Sequence, residues 1–227
     1  MQILFSDFEI RYSELRKIID RLIKVSTNYD RIIDFGFGTG RIAMALAFGL
    51  GSFEIVGVDK EIDSVDRAIA DIKGLSIELF DEIYKLWKIS RDHALQAGLR
   101  PETRLMVEEI VSRRRFQPTF HFIHGDFARG EPVPELASNY FDLAHSRYCL
   151  YQIYCSDPSQ SSRLESALTE MSRVVKPGGL ITVYEPEVCP GKQRVLDLRD
   201  LFVRRQDLAL LHSCSENGVW DITARRN

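Results

Sequence analysis

Seven short apolar runs alternating with amphipathic segments along 227 residues predict an α/β fold. The expected architecture is a mostly parallel seven-stranded sheet with helices on both faces and an antiparallel C-terminal hairpin. Three observations carry this. A glycine-rich turn joins the first apolar run directly to a helical pattern, strand and helix patterns then recur in turn, and an Asn-Gly pair separates the last two runs.

From Ser13 to Val25 the apolar residues Leu15, Ile18, Ile19, Leu22 and Ile23 fall at helical spacing with charges between them, which predicts a leading amphipathic helix. Arg31-Ile32-Ile33-Asp34-Phe35 reads as a buried strand and Arg41 to Gly49 as a helix with a glycine stop. Glu54 to Asp59 is a second buried strand ending in an acid, and Ile62 to Ile72 a second core helix. The alternation then breaks from Gly74 to Pro118. A charged helical stretch bearing Leu79, Ile83, Leu86 and Trp87 gives way at Gly98 to Pro101 to another helix ending in Arg113-Arg114-Arg115. Such a helical insertion stands where a loop of a few residues normally suffices. Its expected role is a lid, a wall or a contact between copies in a homo-oligomer, with the arginine run a solvated helix end.

The alternation resumes with strands at Thr119 to His124 and Tyr140 to Ala144, a helix at Leu164 to Val175, and a strand at Leu180 to Tyr184 introduced by Lys176-Pro177-Gly178-Gly179. A helix from about Gln193 to Gln206 precedes the hairpin, whose arms Leu208 to His212 and Val219 to Ala224 flank Ser215-Glu216-Asn217-Gly218. The competing reading extends that helix through Leu211 and leaves one terminal strand. One domain, 1–227, is expected, with 1–28 an N-terminal helical segment and 74–118 the insertion.

Composition excludes several classes. The formal net charge is −3 and the isoelectric point about 6.0, so no general attraction to nucleic acid or anionic membranes arises. No apolar stretch is long enough to span a bilayer, and the N-terminus lacks the basic and apolar regions of a secretory signal, so a cytoplasmic protein is expected, the nucleus remaining open. Cys149, Cys155, Cys189 and Cys214 form no metal-ligand spacing and read as reduced thiols; no metal site is expected.

The strongest local signal is Asp34-Phe35-Gly36-Phe37-Gly38-Thr39-Gly40 between strand and helix. Glycines there permit a tight turn and close approach of a ligand to the backbone. The spacing G-x-G-x-G is not that of the nicotinamide and flavin fingerprint. Asp34, at the carboxyl end of its strand, would repel a pyrophosphate but suits a ligand carrying an amino group. Asp59 ends the next strand at the distance expected for an acid that accepts from ribose hydroxyls. His124-Gly125-Asp126-Phe127 adds an acid for an exocyclic amine and an aromatic face for a planar ring.

In order, IIDFGFGTGRIAMAL, IVGVDK, FIHGDF, FDLAHSRYCLY and VVKPGGLITVYEPE resemble the class I, Rossmann-like S-adenosylmethionine-dependent methyltransferase family from about Arg31 to Glu187. The resemblance implies S-adenosyl-L-methionine as cofactor. It places Asp34 at the methionine amino group, Gly36, Phe37, Gly38 and Gly40 beneath the methionine and ribose, and Asp59 on the ribose with Lys60 beside the adenine. Asp126 and Phe127 would contact the adenine, and His145 or Ser146 the methionine side.

Methyl transfer from a sulfonium is an in-line displacement in which alignment dominates and no universal acid is required. Candidates for a base or an orienting group are His145, Tyr148 and Glu185, with Arg147, Tyr184 and Glu187 nearby and His121 and His212 weaker. The expected acceptor is an O, N or C nucleophile of a small molecule. The rivals are a protein or RNA acceptor, a cofactor-binding but inactive partner protein, and an oxidoreductase, the last opposed by the glycine spacing and Asp34.

Overall fold

The computed structural model describes residues 17–26, 29–73, 118–156, 161–188 and 196–227. Residues 74–117 of the expected insertion, with its arginine run, and residues 1–16 lie outside the described residues.

The strands are β1 (Arg31–Phe35), β2 (Glu54–Asp59), β3 (Thr119–His124), β4 (Phe141–Arg147), β5 (Val175–Pro186), β6 (Leu208–Glu216) and β7 (Val219–Arg226). They form one seven-stranded sheet in the order β3-β2-β1-β4-β5-β7-β6. Strands β1 to β5 pair in parallel, and β7 inserts antiparallel between β5 and β6. The helices are α1 (residues 17–25), α2 (Arg41–Leu50), α3 (Ile62–Lys73), α4 (Leu150–Ser156), α5 (Ser161–Val174) and α6 (Leu198–Val203).

Alternation along the strands feeds two cores, because successive side chains point to opposite faces. On one face Ile32, Ile55, Leu143 and Leu180 meet Ile18, Ile19 and Leu22 of α1 and Leu46, Ala47 and Leu50 of α2. On the other, Ile33, Val56, Ala144, Ile181 and Ile222 meet Leu150 of α4, Leu164, Leu168 and Met171 of α5, and Phe202 of α6. Double coverage explains why the parallel strands read as unbroken apolar runs.

The hairpin reading holds. β6 and β7 turn through Asn217 and Gly218, with φ of 55° and 74°, the left-handed pair that a tight two-residue hairpin requires. The alternative of a helix running through Leu211 is overturned. Three further expectations are corrected. His145, Ser146 and Arg147 lie within β4, and Tyr184 and Glu185 within β5, rather than after these strands. Helix α4 was not anticipated, since its seven residues are too few to display a period. Cys155 is disulfide-bonded while Cys149 and Cys214 are free, so the four thiols are not all reduced; spacing in sequence does not report which sulfurs meet in space. No described helix is long and apolar enough to cross a membrane.

Candidate cofactor site

The carboxyl edge of the sheet forms the site. Strand β1 ends at Phe35 and the chain turns sharply at Gly36, whose φ is +72°. A Cβ there would fall 2.3 Å from Cys149 Sγ, so the position tolerates only glycine, by both conformation and space. The turn delivers Gly40 as the left-handed residue before α2, and sends the Phe37 ring under Gly57 against Val65 and Phe122.

A cavity of about 190 Å3 opens above this turn. Gly36, Gly38, Asp59 and Lys60 line one side, Asp126 and Phe127 another, and Tyr148, Cys149, Gln152, Ile153 and Arg163 close it from α4 and α5. Six of the expected cofactor residues therefore share one cavity, joined by Tyr148. Asp34, Phe37, Gly40, His145, Ser146 and Glu185 are not on its wall. Glu61, Ser64, Cys149, Gln152, Ile153 and Arg163 line it without having been anticipated. Arg163, on a helix far along the chain, carried no local motif.

The carboxylates are differently engaged. Asp59 accepts from Gly38 N and Glu61 N, both at 3.0 Å, tying the glycine turn to the end of β2. Asp126 accepts from Ala128 N at 3.0 Å and from Arg163 at 2.8 Å. The Lys60 carbonyl oxygen lies 2.9 Å from His124 Nε2, and its ammonium is near Glu61. Asp34 is fully enclosed, and its Oδ2 has no hydrogen-bond partner. Burial first, then the Asp59 charge, push its carboxyl up to about 8 against the opposing pull of Arg147.

Asp34 belongs to a row of aligned positions running Gly57, Asp34, His145, Thr182 and Thr223 across β2, β1, β4, β5 and β7. His145 Nδ1 lies 2.8 Å from Thr182 Oγ1, which also lies 3.5 Å from the Ala144 carbonyl oxygen. His145 Nε2 is buried and without a partner. Burial, reinforced by the Arg147 charge, pushes the His145 imidazolium down to about 3. One step toward the edge, the Arg147 guanidinium sits 4.7 Å from the Tyr148 ring centre and 5.5 Å from that of Tyr184.

Glu185 is also fully buried but amply partnered. Its Oε1 accepts from Cys149 N and Leu150 N at 2.9 Å and from Ser146 Oγ at 3.2 Å, and its Oε2 accepts from Tyr151 N at 3.3 Å. Burial pushes it up to about 7, with these donors pulling the other way. Glu187 accepts from Ser215, and His212 lies 3.9 Å from Asp221 at the hairpin. His121 faces a surface groove at the opposite, amino edge with Asp30 and Glu54. Among the described residues no group of three or more His, Cys, Asp or Glu is placed to hold a metal ion.

The arrangement fits a sulfonium nucleoside: an orphaned buried carboxylate beyond the glycine turn, a backbone turn that leaves no room for a side chain, and acids beside an aromatic ring at the far end. Comparison with known proteins agrees. Residues 8–215 match the family described as "Methyltransferase domain". No curated protein sequence matches significantly. Among solved structures, the N-methyltransferase NodS from Bradyrhizobium japonicum is similar with a TM-score of 0.58 and 13% identity, over 95% of this chain and 96% of that one; NodS is also known in complex with S-adenosyl-L-homocysteine. The methyltransferase in complex with the Haloferax volcanii Trm112 activator gives 0.57 and 15%, over 97% and 92%. The 16S rRNA methylase RmtB gives 0.54 and 12%, over 98% and 66%. The chain belongs to the methyltransferase domain family and carries the class I fold, whose methyl donor is S-adenosylmethionine.

Proposed function

We propose that this methyltransferase acts on a small-molecule acceptor, and that its cofactor lies along the cavity from Asp126 to Gly36 with its amino group at Asp34. The observation that carries the cofactor assignment is the single cavity collecting Gly36, Gly38, Asp59, Asp126 and Phe127 from three strand ends. Support for a small acceptor comes from the composition of the chain, which carries no basic excess. The formal net charge of −3 also gives no general attraction to a polyanion such as RNA.

S-adenosylmethionine, when bound, supplies an electrophilic methyl group on a sulfonium. Asp34 pairs with its ammonium, Asp59 takes the ribose hydroxyls on oxygens already anchored to Gly38 and Glu61, and Asp126 and Phe127 hold the adenine. Asp59 is thereby both a ligand group and a brace for the glycine turn. His145 stays neutral, so it does not carry off a proton as imidazolium. Glu185 is turned to backbone amides. The site therefore suits a nucleophile that arrives with a free lone pair, the sulfur leaving group needing no acid.

Calorimetry tests the cofactor reading. Wild type is expected to bind S-adenosylmethionine and S-adenosylhomocysteine, and Asp59→Ala to bind far more weakly; equal binding by both proteins refutes the ribose assignment. Radiolabelled methyl transfer into a metabolite extract tests the acceptor class, and label recovered only in RNA or protein refutes the small-molecule reading.

A further inference from the structure

Helix α4 begins without a side-chain cap of its own. The residues before it are Tyr148 and Cys149, neither of which is a usual N-cap, and Tyr148 has a left-handed φ of 54°. Its first amides are satisfied from elsewhere: the Cys149, Leu150 and Tyr151 N–H groups all donate to the Glu185 carboxylate, which β5 brings in from a distant part of the chain. The Tyr148 N–H donates to the Tyr184 carbonyl at 3.1 Å, so the whole turn is tied to the end of β5. That same turn is a wall of the cofactor cavity. Tyr148, Cys149, Gln152 and Ile153 line it, and the Cys149 side chain fills the space over Gly36.

We propose that Glu185 is a positioning residue for cofactor binding, setting the cavity wall at Tyr148–Ile153 through the turn it holds, without touching the cofactor. This rests on the methyltransferase reading above and adds a role for a residue outside the cavity. The physical case is one of commitment. A carboxylate removed from water must be compensated by donors, and here three backbone amides of a single turn converge on it, with the Ser146 hydroxyl of the adjoining strand as a fourth. Moving the turn would strip the carboxylate of its partners, so the wall has one stable position. The strained Tyr148 backbone is held by that same set of bonds. Glu185→Gln keeps the shape and one accepting oxygen, but sets an NH2 group against the Tyr151 amide and removes the charge.

The experiment is calorimetry with S-adenosylhomocysteine on full-length wild type and Glu185→Gln, paired with the rate of Cys149 alkylation by iodoacetamide, read at that peptide by mass spectrometry. Expected is a Kd raised by about tenfold or more in the variant, consistent with losing charge-assisted bonds, with stoichiometry near one and faster Cys149 alkylation. Ser146→Ala, which removes one donor and leaves the three backbone amides of the turn in place, should change Kd by less than about threefold. A fall in stoichiometry at unchanged Kd means that Glu185 serves folding alone, and overturns the proposal. Unchanged Kd and unchanged alkylation overturn it as well. Failure of wild type to bind is a separate result: it removes the cofactor reading itself, and this inference with it.

Discussion

The ends of β1 and β5 make an instructive pair. Each carries a carboxylate fully withdrawn from solvent, Asp34 and Glu185, and burial raises both, to about 8 and about 7. Glu185 has four donors, whereas Asp34 Oδ2 has none. A partnered buried acid holds structure, while an orphaned one stores a cost that a ligand relieves. The contrast separates the residue that shapes the cavity from the one that awaits an ammonium.

The largest expected effect comes from Asp34→Asn. Calorimetry should show the affinity for S-adenosylmethionine falling by about a hundredfold or more, since a buried ammonium loses its counter-charge. Thermal melting of the ligand-free variant near pH 8 should show no loss of stability, and a gain on the order of 2–4 °C. The sign follows from linkage: with its carboxyl raised from 3.8 to about 8, the folded state keeps a proton that the unfolded chain has released. The stability this confers is complete below about 4 and lost as pH rises through about 8, and asparagine removes that loss. A variant that both binds normally and melts normally would erase the contrast with Glu185.

Next in size is the pH dependence of binding by wild type. The ligand-free site holds Asp34 protonated below about 8, and an ammonium requires it ionised, so binding releases a proton. Between pH 6 and 7.5, Kd should fall by up to about tenfold per unit as pH rises. Binding enthalpies measured in buffers of different ionisation heat should differ accordingly; identical enthalpies would show Asp34 already charged.

His145, the aligned partner of Asp34 on β4, sharpens the comparison in the opposite sense. Its imidazolium is lowered from 6.5 to about 3, so the unfolded chain takes up a proton that the folded state refuses. Its contribution to stability is present above 6.5 and lost as pH falls toward about 3. NMR should show its ring resonances unmoved from pH 5 to 8; a midpoint near 6.5 would place it in water. The smallest effect is at the far side of the sheet. Arg21 of α1 grips Asp221 of β7 at 2.5 and 2.7 Å while partly buried, and Arg21→Ala should lower Tm by about 2–4 °C with cofactor affinity unchanged.

Local chemistry determined much of this protein. Asp34, the glycine turn, Asp59 and Asp126-Phe127 are legible because each stands at a strand end whose apolar run announces it, and Asn217-Gly218 because only certain residues take up that backbone. What the linear order could not reveal is pairing between distant segments. That Glu185 caps α4, that Arg163 rather than open solvent faces Asp126, that Cys149 sits on Gly36, and that His145 lies inside its strand beside Asp34 all depend on which elements the folded sheet sets side by side. Strand ends and turns are properties of a few neighbouring residues, whereas burial, hydrogen-bond partners and the resulting shifts in acidity are properties of surroundings that exist only once the chain has folded.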